Sequence, residues 1–154
     1  MKKFLLLILI LVVHSVTMAS NWERDILVEG KRFLLDREGL QVDSQGHLHL
    51  AYGGTGAYYA YFDGLEWHSE TIEETGQNTL GTMLQLDSQG KPIVAFYDQE
   101  NKELKIAKKE QNGWITTAII PYLDNFVDFT MKIDSQDEIH IAMGAKYSLY
   151  YIIY

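Results

Sequence analysis

The residues best suited by type to do chemistry are carboxylates gathered in a few connections. Glu73 and Glu74 fall in one, Asp98 and Glu100 in a second, Asp124 and Asp128 in a third. Acids on neighbouring loops are what a glycosidase uses as general acid and base, and what Ca²⁺ takes as oxygen ligands. Solvated loop charges are the commoner use of such residues. Glu73, Glu74, Asp98, Asp124 and Asp128 therefore stand as candidate ligand-binding residues, and no catalytic residue is assigned. His49 and His140, with His47 nearby, could converge on a metal. Ile93 fills the corresponding position between them, however, and a mid-strand histidine that packs and bonds a neighbouring loop is the better reading. No nucleophile motif, glycine-rich phosphate loop or His-x-x-x-His pair occurs, and the absence of cysteine excludes thiolate metal sites. No metal and no cofactor is expected, Ca²⁺ being the one ion that the acidic loops could suit.

Three near-copies of one phrase position these residues: "LQVDSQGHLHLAY" from Leu40, "LQLDSQGKPIVAF" from Leu84 and "MKIDSQDEIHIAM" from Met131. A fixed period is read before local structure. With Asp43, Asp87 and Asp134 aligned, the sixth residue onward is His49, Ile93 or His140, and the eighth is alanine in all three: Ala51, Ala95 and Ala142. Trp22, Trp67 and Trp114 follow the same period and are expected in the core. The three aspartates are expected to cap tight turns by accepting backbone N–H bonds. "TMLQLD", "PIVAFYD", "ELKIAKK" and "GWITTAII" are β-rich or alternating runs bounded by Gly, Asp and Asn, the pattern of strands. In "ELKIAKK" Leu104 and Ile106 alternate against Lys105, Ala107 and Lys108.

Four short antiparallel strands in about 45 residues predict a β-propeller blade. The expected fold is all-β, with a lone strand at 22–28, a first blade over about 38–72, a second over about 80–120 and an incomplete third over about 127–154. Three blades are below the usual minimum of about four. The chain is expected to be either part of a longer propeller or half of a homodimer whose terminal strands complete each other's blades in a six-bladed ring. In blades of this kind the candidate acids share the mouth of the channel.

The N-terminus reads differently. Lys2 and Lys3 precede ten unbroken apolar residues, Phe4 to Val13, and then "HSVTMAS". That is the pattern of a secretory signal peptide over 1–19, and ten residues rise only about 15 Å as a helix, half a bilayer core. Cleavage would leave 135 residues from Ser20. The whole chain carries −8, and losing two lysines takes this to −10. Such acidity disfavours nucleic acid and anionic membrane surfaces as partners. A secreted, periplasmic or cell-surface location is expected, with no membrane association after cleavage.

The run Leu-x-Leu-Asp-x-x-Gly-x-Pro-x-Val-Ala-x-Tyr-Asp, then Leu-x-x-Ala and Gly-x-Trp, between Leu84 and Trp114, resembles the degenerate repeats of secreted bacterial β-propellers in the broad sialidase-like group. The sialidase Asp-box and arginine triad do not occur, so the resemblance implies the scaffold and the exported setting without sialidase chemistry. The expected function is a non-catalytic module that binds glycan or protein at or outside the cell surface. The alternatives are a fragment of a glycan-active hydrolase or lyase, and a truncated propeller with no function of its own.

Overall fold

The computed structural model describes residues 34, 35 and 38–154. The expected signal peptide, Trp22 and the expected strand 22–28 lie outside the described residues. The described chain is all-β, with eleven strands in three antiparallel sheets, none of which closes on itself. The first sheet holds β1 (Leu40–Val42), β2 (Leu48–Gly53), β3 (Gly56–Phe62) and β4 (Trp67–Glu74). The second holds β5 (Thr79–Leu86), β6 (Pro92–Asp98), β7 (Glu103–Glu110) and β8 (Gly113–Ile120). The third holds β9 (Phe126–Ile133), β10 (Ile139–Ala145) and β11 (Ser148–Ile153). In every sheet each strand pairs with its neighbours in the chain. Among the described residues no helix is long and apolar enough to cross a membrane.

The repeated phrase forms the hairpin between the first two strands of each sheet. Asp43 Oδ1 accepts the amides of Gln45 and His47 at 2.8 and 2.9 Å. Asp87 does the same for Gln89 and Lys91, and Asp134 for Gln136 and Glu138. The turns need one left-handed residue, supplied by Gly46 (φ 87°) and Gly90 (φ 77°). In the third turn Asp137 takes that conformation (φ 63°). An aspartate tolerates it better than most side chains, and here its carboxylate accepts the Ser88 amide at 2.8 Å and the Ser88 hydroxyl at 2.6 Å, tying the third turn to the second.

The sheets stack face to face with the second in the middle. Ala51, Ala57 and Tyr59 of the first sheet pack on Leu84, Val94, Phe96 and Ala107 of the second. The opposite face of the second sheet, with Ile93, Ala95, Leu104 and Ile106, packs on Met131, Ile139, Ile141 and Met143 of the third. Both faces of β6, and of β7 from Leu104 to Ala107, are therefore dry. The alternation in β7 separates two buried faces, not a dry face from a wet one, and Lys105 is buried. Trp67 and Trp114 are half-buried, not within the core. They lie at the start of β4 and β8, the last strands of their sheets. Trp114 meets Tyr59 edge-on at 5.2 Å and Trp67 packs against Phe62 at 5.3 Å.

The first strands also bond from sheet to sheet. Gln41 donates its side-chain amide to the Leu84 carbonyl at 3.0 Å, and Leu84 N–H donates to the Glu38 carbonyl at 3.0 Å. The Glu38 carboxylate reaches Lys132 of β9 at 3.1 Å.

Candidate functional site

Antiparallel pairing puts the three Asp turns at one end of the sheets and the β2–β3, β4–β5, β6–β7, β8–β9 and β10–β11 connections at the other. The five candidate acids all lie at that second end. Four of them are at strand ends, not in loops: Glu73 and Glu74 close β4, Asp98 closes β6 and Asp128 lies in β9. Only Asp124 is in a connection.

Glu73 and Asp98 are brought together by a residue that sequence reasoning passed over. Lys105 Nζ lies 2.5 Å from Glu73, 2.8 Å from Asp98 and 3.4 Å from Glu103. Asp98 is fully buried, and both of its oxygens are committed. Oδ1 accepts the Glu100 and Asn101 amides, while Oδ2 accepts Lys105 and the Asn101 side chain. Burial pushes the Asp98 pKa up, but the bonds from Lys105 and Asn101 outweigh it and the value lies below the ordinary one. Burial likewise disfavours the Lys105 ammonium, yet Asp98 and Glu73 hold its pKa above the usual lysine range. The ammonium occupies the place between the two carboxylates where a cation would sit, so this pair does not suit Ca²⁺. Glu74 accepts the Tyr58 hydroxyl at 3.2 Å. Asp128 accepts the amide of Phe129 at 2.8 Å.

Asp124 has a different setting. It is exposed, pairs with Lys102 at 2.6 Å, and stands in the wall of a groove of about 490 Å³ between the β8–β9 and β10–β11 connections. Tyr122, Tyr147 and Tyr150 line the same groove. Tyr122 and Tyr147 are 87% and 89% exposed, so their rings stand almost wholly in solvent. The Lys146 ammonium lies 5.0 Å over the Tyr147 ring. The backbone that carries these groups is fixed. Leu123 N–H donates to the Lys102 carbonyl, Tyr97 OH donates to the Leu123 carbonyl, and Lys146 N–H donates to the Asn125 carbonyl. Tyr122, Asn125 and Lys146 all have positive φ (57°, 59° and 36°). For a bulky residue such as Tyr122 that conformation is uncommon and costs energy.

No family model matches this chain, and no curated protein matches it.

At the Asp-turn end His49 is buried, with Nδ1 2.6 Å from Tyr59 OH and Nε2 3.5 Å from Asp43 Oδ2. His47 Nδ1 lies 3.0 Å from the same Asp43 oxygen. Burial opposes ionisation of Asp43, yet the His47 amide, the His47 ring, the Gln45 amide and the His49 ring together hold its pKa well below the usual carboxylate range. Burial outweighs the pull of Asp43 at His49 and lowers its pKa, favouring the neutral ring. The third sheet repeats the arrangement. His140 Nδ1 lies 2.6 Å from Tyr151 OH, and Nε2 lies 3.3 Å from Asp134 Oδ2. In the second sheet Ile93 and Ile106 occupy both positions, since Ala95 pairs with Ile106 as Ala51 pairs with Tyr59 and Ala142 with Tyr151. A Tyr partner for each repeated histidine, lost together with it, marks the pair as part of the repeat's packing. Asp134, Glu138 and His140 also offer ligand atoms within 4.8 Å of one another, at a partly exposed position.

Proposed function

We propose that the three sheets are blades of a β-propeller and that the protein is an exported, non-catalytic binding module whose site is the tyrosine-lined groove. Glu38 supports the radial arrangement, since its carbonyl and carboxylate bond to the first strands of both following sheets, as convergence on an axis requires. The observation that carries the binding site is the set of exposed rings, Tyr122, Tyr147 and Tyr150, around one groove beside Asp124. Aromatic faces stack on the C–H faces of sugar rings, and a carboxylate with an adjacent ammonium offers acceptors and donors to hydroxyls. The backbone strain at Tyr122 is of the kind retained where a side chain must be presented to a ligand. These features favour a glycan as the ligand class, and the signal pattern at residues 1–19 supports an extracellular setting in which glycans are met.

The hydrolase or lyase alternative finds less support. A general acid needs a raised pKa, and the Lys105 ammonium acts on Asp98 in the opposite sense. The test is a glycan array followed by calorimetry on the best ligand. Tyr122→Ala and Tyr147→Ala should each weaken binding by roughly 2- to 10-fold, about 0.5–1.5 kcal/mol for loss of one ring-stacking contact. Both side chains are exposed, so folding should be unchanged. No ligand in a broad panel, or a ligand whose affinity both variants leave intact, refutes the assignment.

A further inference from the structure

The three Asp turns share one scaffold but differ in what stands beside the carboxylate. The fourth residue after the aspartate is His47, Lys91 or Glu138, and the sixth is His49, Ile93 or His140. Side chains able to ligate a metal therefore occupy both positions or neither, and in the second turn an ammonium and an alkyl group take their places. The His–Tyr pair explains the sixth position as packing, but it does not explain the fourth. In the first turn the fourth residue is a second ring. His47 Nδ1 lies 3.0 Å from Asp43 Oδ2, an ordinary hydrogen-bond length, so a ring proton satisfies that carboxylate. In the third turn the fourth residue is a second carboxylate, which when ionised only accepts. Ligand atoms of Asp134, Glu138 and His140 lie within 4.8 Å of one another. Among the described residues the Glu138 carboxylate makes no hydrogen bond or ion pair.

We propose that Asp134, Glu138 and His140 bind one first-row divalent transition-metal ion, with zinc as its representative. Two of the ligands are already set. Asp134 Oδ1 is committed to the Gln136 and Glu138 amides, and Oδ2 faces His140 Nε2 at 3.3 Å. Two ligands of one tetrahedral zinc, each about 2.1 Å from it, stand about 3.4 Å apart. Tyr151 OH holds the other ring nitrogen, Nδ1, at 2.6 Å. Such an outer hydrogen bond fixes the ring of a ligating histidine. When Nδ1 donates to Tyr151, the Nε2 lone pair faces both carboxylates, an arrangement that a cation between them stabilises. Glu138 is exposed, so a rotamer change can bring its carboxylate in as the third ligand. The imidazole selects transition ions over Ca²⁺ and Mg²⁺, which take oxygen ligands. Three protein ligands leave a position for water. Access does not depend on what covers the third sheet. In the first sheet, which the second covers, Asp43 and His47 of the corresponding turn keep 16% and 24% of their side-chain exposure. The site lies at the end of the sheets opposite the tyrosine groove and is independent of the glycan reading.

The experiment uses the full chain, or its processed form if a signal is removed, stripped with a chelator. Calorimetry with zinc chloride gives stoichiometry and affinity, and the visible absorption of added Co²⁺ reports its coordination. One zinc ion should bind per chain, and an excess of Ca²⁺ should not displace it. Glu138→Gln and His140→Ala should each weaken zinc binding by at least about 10-fold, and Tyr151→Phe by about 10- to 100-fold through the lost outer hydrogen bond. Glu138 is exposed, so Glu138→Gln keeps the test decisive even if His140→Ala fails to fold. His47→Ala, in the first turn, should leave zinc binding unchanged. No uptake at tens of micromolar zinc overturns the inference. So does binding that survives both Glu138→Gln and His140→Ala, or binding that is lost in His47→Ala instead. Displacement of zinc by an equal concentration of Ca²⁺ shows a site made of oxygen alone and overturns it too.

Discussion

Removal of the Lys105 ammonium leaves Asp98 as a fully buried carboxylate without its cation. At the observed 2.8 Å, the gross attraction is roughly 6 kcal/mol at an effective dielectric constant of about 20. Desolvating the two ions offsets several kcal/mol of that in the wild type. In Lys105→Met the attraction disappears but the burial of Asp98 remains, so the expected loss of stability is about 3–5 kcal/mol near pH 7. The two backbone amides and Asn101 still bond Asp98, which favours the lower part of that range. The pH dependence has a definite sign. Asp98 has a lowered pKa in the folded wild type, so its contribution is present above the unfolded carboxylate value of about 3.9 and is lost as pH falls through the folded value. In Lys105→Met burial is no longer opposed by the ammonium and the pKa of Asp98 rises. The variant should therefore be weakest relative to wild type near pH 7, and the gap should narrow toward about pH 4.5 as Asp98 takes up a proton. Urea unfolding followed by tryptophan fluorescence at both pH values measures this. The double variant Lys105→Met/Asp98→Asn should regain part of the loss. A loss below about 1 kcal/mol, the range of exposed ion pairs, or a loss equal at both pH values would refute the claim that this pair is buried and mutually dependent.

Two other outcomes can be checked. Histidine titration by NMR should place His49 below the ordinary histidine value, through burial, and His68 above it, through its bond to Asp63. His49 then contributes stability that is lost as pH falls through the histidine range, whereas the His68 contribution is full below that range and fades as pH rises through it. Trp114→Ala should cost less than the roughly 3–5 kcal/mol of a fully buried tryptophan, because the ring is half-buried; a larger loss in urea denaturation would show that the Tyr59 and Glu70 contacts are undervalued.

The period was legible because each turn needs the same few atoms. Asp43, Asp87 and Asp134 are repeated because one carboxylate oxygen must meet two amides, and the glycines because one residue must have positive φ. Ala51 and Ala95 are buried where neighbouring sheets pack together, and Ala142 holds the same place in the repeat on a face that no described sheet covers. Face assignment was harder. The alternation in β7 reads as a dry side against a wet one, and nothing local tells Lys105 in a sandwiched sheet from a lysine in solvent. Its partners are set by packing: Glu73 lies 32 residues away in another sheet. The tryptophans illustrate the reverse error, since periodicity reports a repeated role but not its depth. The tyrosine groove was invisible for a related reason. Tyr122 and Tyr147 fall in connections, which do not follow the repeat, and only the fold brings those connections side by side.

Every described strand pairs with a strand adjacent in sequence, so each described sheet is assembled by closing loops of a few residues. Closing short loops loses little chain entropy, and local contacts speed folding relative to all-β proteins built from distant pairings. Stability in such a stack is close to a sum of terms for single sheets and for neighbouring pairs. The second sheet, bounded on both sides, collects two of the pair terms and each outer sheet collects one among the described residues. Opening at the ends of the stack is therefore cheaper than opening at its middle. Damage to the third sheet, which carries half of the tyrosine groove, need not unfold the first.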